Sequence, residues 1–313
     1  MLIEEASRRK EGEISAPVLM IVATLLFATM SMCVKLASAE YGTGEMVFYR
    51  GIIGAVIVST LARRRGVTLR TSVPALHFWR SLTGVCALGL WFYAIEALPL
   101  STAVTLNYTA PVWMAVLLIG GSVFLKQGRA DARLIGPIFA GFIGAICILR
   151  PAIQDDQTWG GFVGLLSGLL TAMAYLHVAA LGRAGEPDTR VVFFFSIASM
   201  GGGALLTFLA DGWHAHTLHG LGLLLAMGLL ATLAQLLLTR AYAIGKLLVN
   251  GSLQYLGIAW SYLYGVWLFG DRITGVSLLG MGLIALAGIA ATALREPLAS
   301  HGEMETPEEP EGL

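Results

Sequence analysis

The fold of this protein is decided by two long apolar stretches. Residues 93–120 read YAIEALPLSTAVTLNYTAPVWMAVLLIG, and residues 242–269 read YAIGKLLVNGSLQYLGIAWSYLYGVWLF. Both open with Tyr-Ala-Ile, pass through a short turn and enter an apolar run that is long for a soluble core helix. Both runs also hold polar residues, although an unpaired polar group in hydrocarbon costs several kcal/mol. Polar groups at matching places in two halves of the chain predict a shared internal cavity.

The composition places the whole chain in a membrane. Of its 313 residues 56% are hydrophobic and 13% are charged, against roughly 25% charged in soluble proteins. The mean hydropathy is +0.74. The formal net charge is zero, so the chain has no global field that would attract nucleic acid, and we expect none as a partner. The three cysteines lie inside apolar runs and are interpreted as small buried hydrophobic residues without disulfides.

Hydrophobic patterning predicts an all-α polytopic membrane protein with ten spans, since a span needs about 20 apolar residues. The predicted spans are residues 17–38, 44–62, 75–96, 100–124, 133–149, 159–181, 190–210, 219–242, 247–269 and 274–294. They divide the chain into an N-terminal segment 1–16, a first five-helix repeat 17–151, a linker 152–158, a second five-helix repeat 159–297 and an acidic, disordered tail 298–313.

Five spans in each half force the second copy to enter the membrane in the opposite direction. We therefore expect a five-plus-five inverted-topology repeat around a central cavity. With ten spans both termini lie on one side, and 15 of the 20 Lys and Arg residues fall on that side. By the positive-inside rule both termini of this multi-pass membrane protein are predicted to be cytoplasmic.

Several local patterns resemble the drug/metabolite transporter superfamily, and in particular its EamA-type members. They are Tyr49-Arg50 in the second span, ALPLSTA at 97–103, Asn-Tyr-Thr-Ala-Pro at 107–111 and Phe-Gly-Asp-Arg at 269–272. The resemblance covers nearly the whole chain and implies ten helices in two halves. More narrowly, the chain is similar to bacterial exporters of aromatic and other amino acids. Many members carry a Glu after Gly at the end of the fourth span; here the second half has Asp271, whereas the first half reads Leu125-Lys126-Gln127.

Residues of polar, aromatic or kinking type inside the spans are predicted to line the cavity. The set is Asn107, Tyr108, Pro111, Tyr175, His177, Gln235, Gln254, Tyr255, Trp91 and Arg80. Other interpretations remain open for some of them. Pro111 removes a backbone hydrogen bond and either moves during transport or is a packed kink. His177 fits a proton relay or a hydrogen-bonded structural residue. Arg80 either reaches the interface or meets a substrate carboxylate.

Charged residues near the other side predict a network of ion pairs or a gate. Its members are Arg50, Glu45, Glu96 and Lys35, with Glu45 or Glu96 expected to neutralise Arg50. His214, His216 and His219 cluster in the loop between the seventh and eighth spans, where they either bind a metal or form a solvated loop; the solvated loop is preferred, so no metal site is assigned. No cofactor is expected, because the chain holds no phosphate loop, zinc-hydrolase motif or nucleophile elbow.

These features predict a secondary transporter, not an enzyme. It would export small metabolites, most of all amino acids with aromatic or apolar side chains, by alternating access of the cavity between the two halves. The alternatives are an exporter of other small drugs, cations or lipid-like metabolites, and an intramembrane enzyme. No carboxylate lies at the centre of a span, so proton or sodium coupling has little support and facilitated transport or exchange remains open. The expected partners are a small-molecule substrate and the lipid bilayer, and the protein is a monomer or a homodimer.

Overall fold

The computed structural model describes residues 14–98, 100–125, 135–149, 158–210, 212–269 and 275–293. Within these ranges the chain forms twelve helices and no strands. In chain order they are α1 Ala16–Ala37, α2 Thr43–Arg64, α3 Pro74–Ala97, α4 Leu100–Asn107, α5 Ala110–Leu125, α6 Ile135–Leu149, α7 Thr158–Arg183, α8 Asp188–Leu209, α9 Leu218–Ile244, α10 Leu247–Gln254, α11 Leu256–Phe269 and α12 Gly275–Ala293. The N-terminal segment 1–16, the linker 152–158, the tail 298–313 and Asp271 lie almost wholly outside the described residues.

Six of these helices, α1, α2, α3, α7, α8 and α9, are long and apolar enough to cross a membrane. Their outward surfaces carry large apolar side chains, such as Leu218, Phe208 and Phe162, that a lipid environment accommodates. An all-helical chain with several apolar helices of membrane-spanning length is a polytopic membrane protein. The prediction of that class is confirmed.

The ends of the long helices follow ordinary capping chemistry. A proline lies in the first turn of α1 and of α3, where its missing N–H is not needed. Thr217 caps α9 by accepting a hydrogen bond from the Gly220 backbone N–H. Gly66 and Gly185 follow α2 and α7 with φ of 64° and 78°, a left-handed conformation that glycine adopts without strain and that ends the helix.

Helices from the two halves of the chain pack against each other. The most extensive interfaces join α2 to α8, α3 to α7, α1 to α9 and α6 to α12. Glycines bring α2 and α8 together: a methyl group on Gly51 would overlap the Met200 backbone, and one on Gly203 would overlap the Phe48 backbone. The halves are therefore interleaved and do not stand apart as two bundles.

The predicted fourth and ninth spans are each broken into two helices. α4 and α10 both contain eight residues, and each ends in an amide residue followed by a tyrosine: Asn107-Tyr108 in one and Gln254-Tyr255 in the other. The chain turns at these tyrosines and continues as α5 and α11. α4 packs against α11 and α5 against α10, so the two broken spans cross with their break points close together.

The two ends of the helix bundle differ in chemistry. α2 runs from one end to the other, and its 22 residues span roughly 33 Å. The end where α2 begins, with the loop that carries His214, His216 and His219, is called the histidine face. The end where α2 finishes at Arg63 and Arg64, with the loop before α8, is called the basic face.

Candidate functional site

A cavity lies among the helices of both halves and contains about 500 Å³ of space not filled by atoms. Its walls come from six helices, α1, α2, α3, α7, α8 and α9, together with the break between α4 and α5. The lining residues are Phe27, Arg50, Arg80, Gly84, Ala87, Leu88, Trp91, Asn107, Tyr108, Thr171, Ala174, Tyr175, Phe195 and Gln235. The lining includes aromatic side chains, two amides and two arginines, and none of these described lining residues is acidic.

The two arginines converge on one aromatic ring. The guanidinium carbon of Arg80 lies 3.7 Å from the centroid of Phe195, and that of Arg50 lies 5.0 Å from the same centroid. Both side chains are buried, with exposures of 2% and 6%. Gly84 lies one helical turn after Arg80, and its lack of a side chain leaves the space that the Arg80 guanidinium occupies. Cation–π contacts of this kind are worth more where water is excluded.

Hydrogen bonds satisfy the arginines only in part. Arg50 Nη2 donates a long hydrogen bond of 3.5 Å to Gln235 Oε1. Arg50 Nε and the Nε and Nη1 atoms of Arg80 are buried without a hydrogen-bond partner. Gln235 Nε2 is unpartnered as well. Because a buried donor without an acceptor is costly, this wall of the cavity is suited to a ligand that brings acceptor oxygens.

The opposite wall is fixed by Asn107 at the end of α4. Its Nδ2 atom donates to Ser167 Oγ and to Thr171 Oγ1 of α7, both at 3.0 Å. Beside it the Tyr108 ring lies 6.4 Å from the ring of Trp91. The break in the fourth span therefore presents two aromatic rings to the cavity while the amide anchors them to the second half of the chain.

A second aromatic pair continues this wall. Tyr175 stacks on Tyr242 with ring centroids 5.0 Å apart, and the Gln254 side chain lies next to the Tyr175 hydroxyl. Gln254 Oε1 and the Tyr242 hydroxyl are buried without partners. The break between α10 and α11 thus borders the cavity through Tyr175.

The structure brings most of the predicted cavity residues together. Arg80, Trp91, Asn107, Tyr108, Tyr175 and Gln235 all line the cavity. Pro111, His177, Gln254 and Tyr255 are not among the lining residues. Pro111 lies in the first turn of α5 against Gly251, and Tyr255 packs on Gly141 of α6. Phe195 and Thr171 were missed, because an isolated Phe or Thr in an apolar span gives no signal of which way it faces.

The four predicted gate residues separate. Arg50 lies in the cavity and is not ion-paired with Glu45 or Glu96 among the described contacts. Glu45 and Arg50 are five residues apart, which puts them about 140° apart around a helix and explains why they do not meet. Lys35 Nζ donates to the backbone oxygens of Ile95, Glu96 and Leu98 at 2.7, 3.2 and 3.0 Å, and so caps the end of α3.

At the histidine face Glu45 is fully buried and binds the loop before α9. Its carboxylate accepts a hydrogen bond from the His214 backbone N–H at 2.8 Å, and its Oε2 lies 2.5 Å from His214 Nδ1 and 3.2 Å from the Gly42 nitrogen. His216 contacts the Tyr49 hydroxyl at 2.7 Å. Among the described residues no group of three or more His, Cys, Asp or Glu side chains is arranged to hold a metal.

At the basic face a buried cluster forms around Glu186, which the sequence did not single out. Its carboxylate lies 3.1 Å from His77 Nε2 and accepts hydrogen bonds of 2.9 Å from both Thr71 Oγ1 and Arg190 Nη1. The side chains of Glu186 and His77 are each 3% exposed. Burial raises the pKa of Glu186, but the hydrogen bonds from His77, Thr71 and Arg190 outweigh it and hold that pKa below its usual range.

A bundle of membrane helices around a buried, partly polar cavity is the structure of a small-molecule transporter. The comparison with known proteins gives the family. Residues 14–150 match the EamA-like transporter family, and the chain belongs to this family of the drug/metabolite transporter superfamily.

Relatives with known names share most of their length with this chain. The pseudopaline exporter CntI of Pseudomonas aeruginosa is 30% identical over 284 residues, which are 90% of this chain and 97% of the relative. The riboflavin transporter of Rhizobium johnstonii is 28% identical, covering 86% and 88%. The S-adenosylmethionine uptake transporter of Rickettsia bellii is 22% identical, covering 72% and 76%.

A solved structure also has the same fold. It superimposes with a TM-score of 0.75 at 19% identity, covering 90% of this chain and 100% of its own. That level of identity shows the fold alone. Taken together, the family and its members make this chain a multi-pass membrane protein that transports small molecules.

Proposed function

We propose that this protein is a secondary transporter that exports small metabolites, amino acids with aromatic or apolar side chains among them, through alternating access of the central cavity. The observation that carries the proposal is the cavity itself. It is lined by both halves of the chain and holds buried donors that have no hydrogen-bond partner among the described residues. A substrate that accepts hydrogen bonds from these donors is therefore bound favourably. Export, rather than uptake, has the support of the exporter among the relatives.

Internal symmetry supports ten spans in two inverted five-span repeats, residues 17–151 and 159–297. The packing of α3 on α7 has its counterpart in the packing of α9 on α1, as a twofold exchange of the halves requires. Arg50 and Phe195 each lie seven residues after the first residue of their helices, α2 and α8, and they contact each other. The eight-residue helices α4 and α10, each followed by a tyrosine, are a further matched pair.

The repeat relates the two ends of the bundle as well. At the histidine face Glu45, in the first turn of α2, binds His214 just before α9. At the basic face Glu186, just before α8, binds His77 in the first turn of α3. Each contact joins one half of the chain to the other. They are suited to act as two gates, of which one opens at a time while the cavity is loaded from one side and emptied to the other.

The basic face is proposed to be cytoplasmic, because Lys and Arg in short loops are retained on that side. Both termini would then be cytoplasmic in a bacterial inner membrane. The working unit is proposed to be a monomer or a homodimer, and no nucleic acid or resident cofactor is part of the mechanism.

Transport by purified protein in liposomes tests the proposal. Labelled phenylalanine and tryptophan trapped inside should leave protein-containing vesicles faster than empty ones, and mass spectrometry should recover them chemically unchanged. Trp91→Ala, which removes a cavity ring, is expected to slow efflux strongly. Trp267→Ala is the matched control, because that indole is 88% exposed on the outer surface of the bundle. Equal efflux with and without protein would refute amino-acid transport.

The same vesicles address coupling. With two arginines and no acidic residue among the described lining residues, the cavity offers no carboxylate that would carry a proton across. Efflux is therefore expected to persist when an ionophore collapses the pH gradient. The alternative of a cation exporter is disfavoured by the same two charges, because a cation in the cavity would be repelled by both.

A further inference from the structure

We propose that the transported substrate is an organic anion with two negative charges, bound between Arg50 and Arg80 across the ring of Phe195. The inference rests on the proposed function and names the substrate class of the same cavity. Both guanidinium groups contact one ring, so they lie within about 9 Å of each other. A guanidinium keeps its charge in proteins, so the cavity holds two positive charges.

Nothing in the described part of the cavity balances these charges. The acidic residues nearest to the arginines along the chain are engaged elsewhere: Glu45 binds His214, and Glu96 accepts a hydrogen bond from Thr43. Two buried like charges without counter-ions cost several kcal/mol in the empty protein. A binding site can retain this unfavourable energy, because a ligand of opposite charge removes it on binding.

The free donors point the same way. Arg80 leaves Nε and Nη1 unpartnered and Arg50 leaves Nε unpartnered, so each guanidinium can donate to an oxyanion. Gln235 accepts from Arg50 through Oε1 and keeps Nε2 free for the same oxyanion. A single carboxylate would neutralise one arginine and leave the other unpaired, whereas two carboxylates or one phosphate group would match both.

The remaining wall is suited to the apolar part of such an anion. The Trp91 and Tyr108 rings lie side by side in the lining, and Leu88 and Phe27 add further apolar surface. A zwitterionic amino acid satisfies this wall equally well, but its ammonium group would lie near two guanidinium groups. The dianion and the zwitterion fit the apolar wall equally well in shape. The two positive charges therefore decide between them and favour the dianion.

A ladder of ligands with the same benzyl group tests the inference. Phenethylamine, phenylalanine, 3-phenylpropionate and benzylsuccinate carry net charges of about +1, 0, −1 and −2 at neutral pH. Binding of each to the full-length protein in nanodiscs, measured by titration calorimetry, should tighten about tenfold for each added negative charge, which corresponds to about 1.4 kcal/mol. Phenyl phosphate, with both charges on one group, distinguishes a phosphate ligand from a dicarboxylate.

Arg80→Gln and Arg50→Gln supply the matched variants. Each should weaken benzylsuccinate by about tenfold or more while leaving phenylalanine nearly unchanged. The thermal midpoint of the ligand-free protein should stay the same or rise, because an unpaired buried charge has been removed. A merely structural arginine would lower that midpoint instead. Trp267→Ala should leave the whole ladder unchanged.

The outcomes separate the two proposals. Phenylalanine binding as tightly as benzylsuccinate and phenyl phosphate, or an order of affinities unaffected by both arginine variants, would overturn the dianion site. If the ladder holds in binding but liposomes show no flux of any of these compounds, the site stands and the transport function fails. If phenylalanine efflux is found without any charge preference, transport stands and the dianion inference fails.

Discussion

Each end of the bundle has a Glu–His contact that joins the two halves of the chain, but the two contacts differ in strength. Glu186 and His77 are both buried, and Arg190 adds a cation to the pair. Glu45 is fully buried too, but His214 is 44% exposed and the described contacts of Glu45 include no arginine. The contact at the basic face is thus charged and buried, whereas the contact at the histidine face is weaker and half-exposed.

The difference indicates which face opens more easily. Arg190 also donates to the Thr68 backbone oxygen through Nε and Nη2, at 3.0 and 2.8 Å, and so ties the loop 65–73 to α8. Opening the basic face breaks these bonds together with those of Glu186. Opening the histidine face breaks the contacts of Glu45 with a loop whose other side chains are exposed and contact the bundle through single pairs, such as His216 with Tyr49 and Thr217 with Glu40. In the absence of substrate we expect the cavity to be reached more often from the histidine face.

Glu186→Ala should have the largest effect, because it leaves Arg190, His77 and Thr71 without their shared acceptor. Removing one member of a buried charged pair typically costs about 3–5 kcal/mol. The thermal midpoint should fall, and hydrogen exchange in the loop 65–73 should speed up while the loop 212–217 stays protected. Asp188→Asn is the control, since the amide oxygen can still accept the 2.8 Å hydrogen bond from the Thr189 backbone N–H and the variant loses only the charge of a long 3.9 Å contact with an exposed Arg65. Equal losses from both variants would refute the special role of Glu186.

Glu45→Ala should have a smaller effect, confined to the histidine face. It removes the acceptor for the His214 and Gly42 backbone N–H groups, a loss of about 1–3 kcal/mol for buried donors. Exchange should rise in the loop 212–217 and stay unchanged in the loop 65–73. Glu40→Ala is the matched control at the same face, because Glu40 binds Thr217 and His219 at the exposed surface. Destabilisation of both loops would show that the two faces are not independent.

How well the structure can be predicted from the sequence depends on how far apart the interacting residues lie along the chain. The six long spans were placed within two residues at each end, because bilayer thickness fixes their length. A bend in the fourth span was predicted at Pro111, but the span is instead broken into two helices at Tyr108 and Thr109. The ninth span has no proline, and its break at Tyr255 was not predicted. There Gly257 makes room for Tyr108 from the other half, a contact that only the packed helices define.

Prediction of the cavity has the same limit, because contacts between residues distant in sequence cannot be predicted from local patterns. Polar and aromatic residues deep in apolar spans, such as Asn107 and Gln235, were predicted to line the cavity, because exposing a polar group to lipid is energetically unfavourable. Arg50 was predicted to pair with Glu45 or Glu96, yet its described contacts are Phe195 and Gln235, which lie more than 140 residues away. Glu186 looked like an ordinary loop charge, since its partner His77 is 109 residues distant. Partners of this kind follow from helix packing and not from local pattern.

The smallest predicted effect is a pH dependence specific to the basic face. The pKa of Glu186 lies below its ordinary value of 4.5, because hydrogen bonds from His77, Thr71 and Arg190 outweigh its burial. A depressed pKa in the folded state gives stability that is complete above pH 4.5 and is lost as the pH falls through the lower folded value. Wild-type protein should therefore exceed Glu186→Gln in thermal midpoint at pH 5, and this margin should shrink as the pH falls from about 4.5 towards pH 3.5. A margin that does not shrink below pH 4.5 would mean that the pKa of Glu186 is not depressed in the folded state, and would reverse the ranking of the two faces.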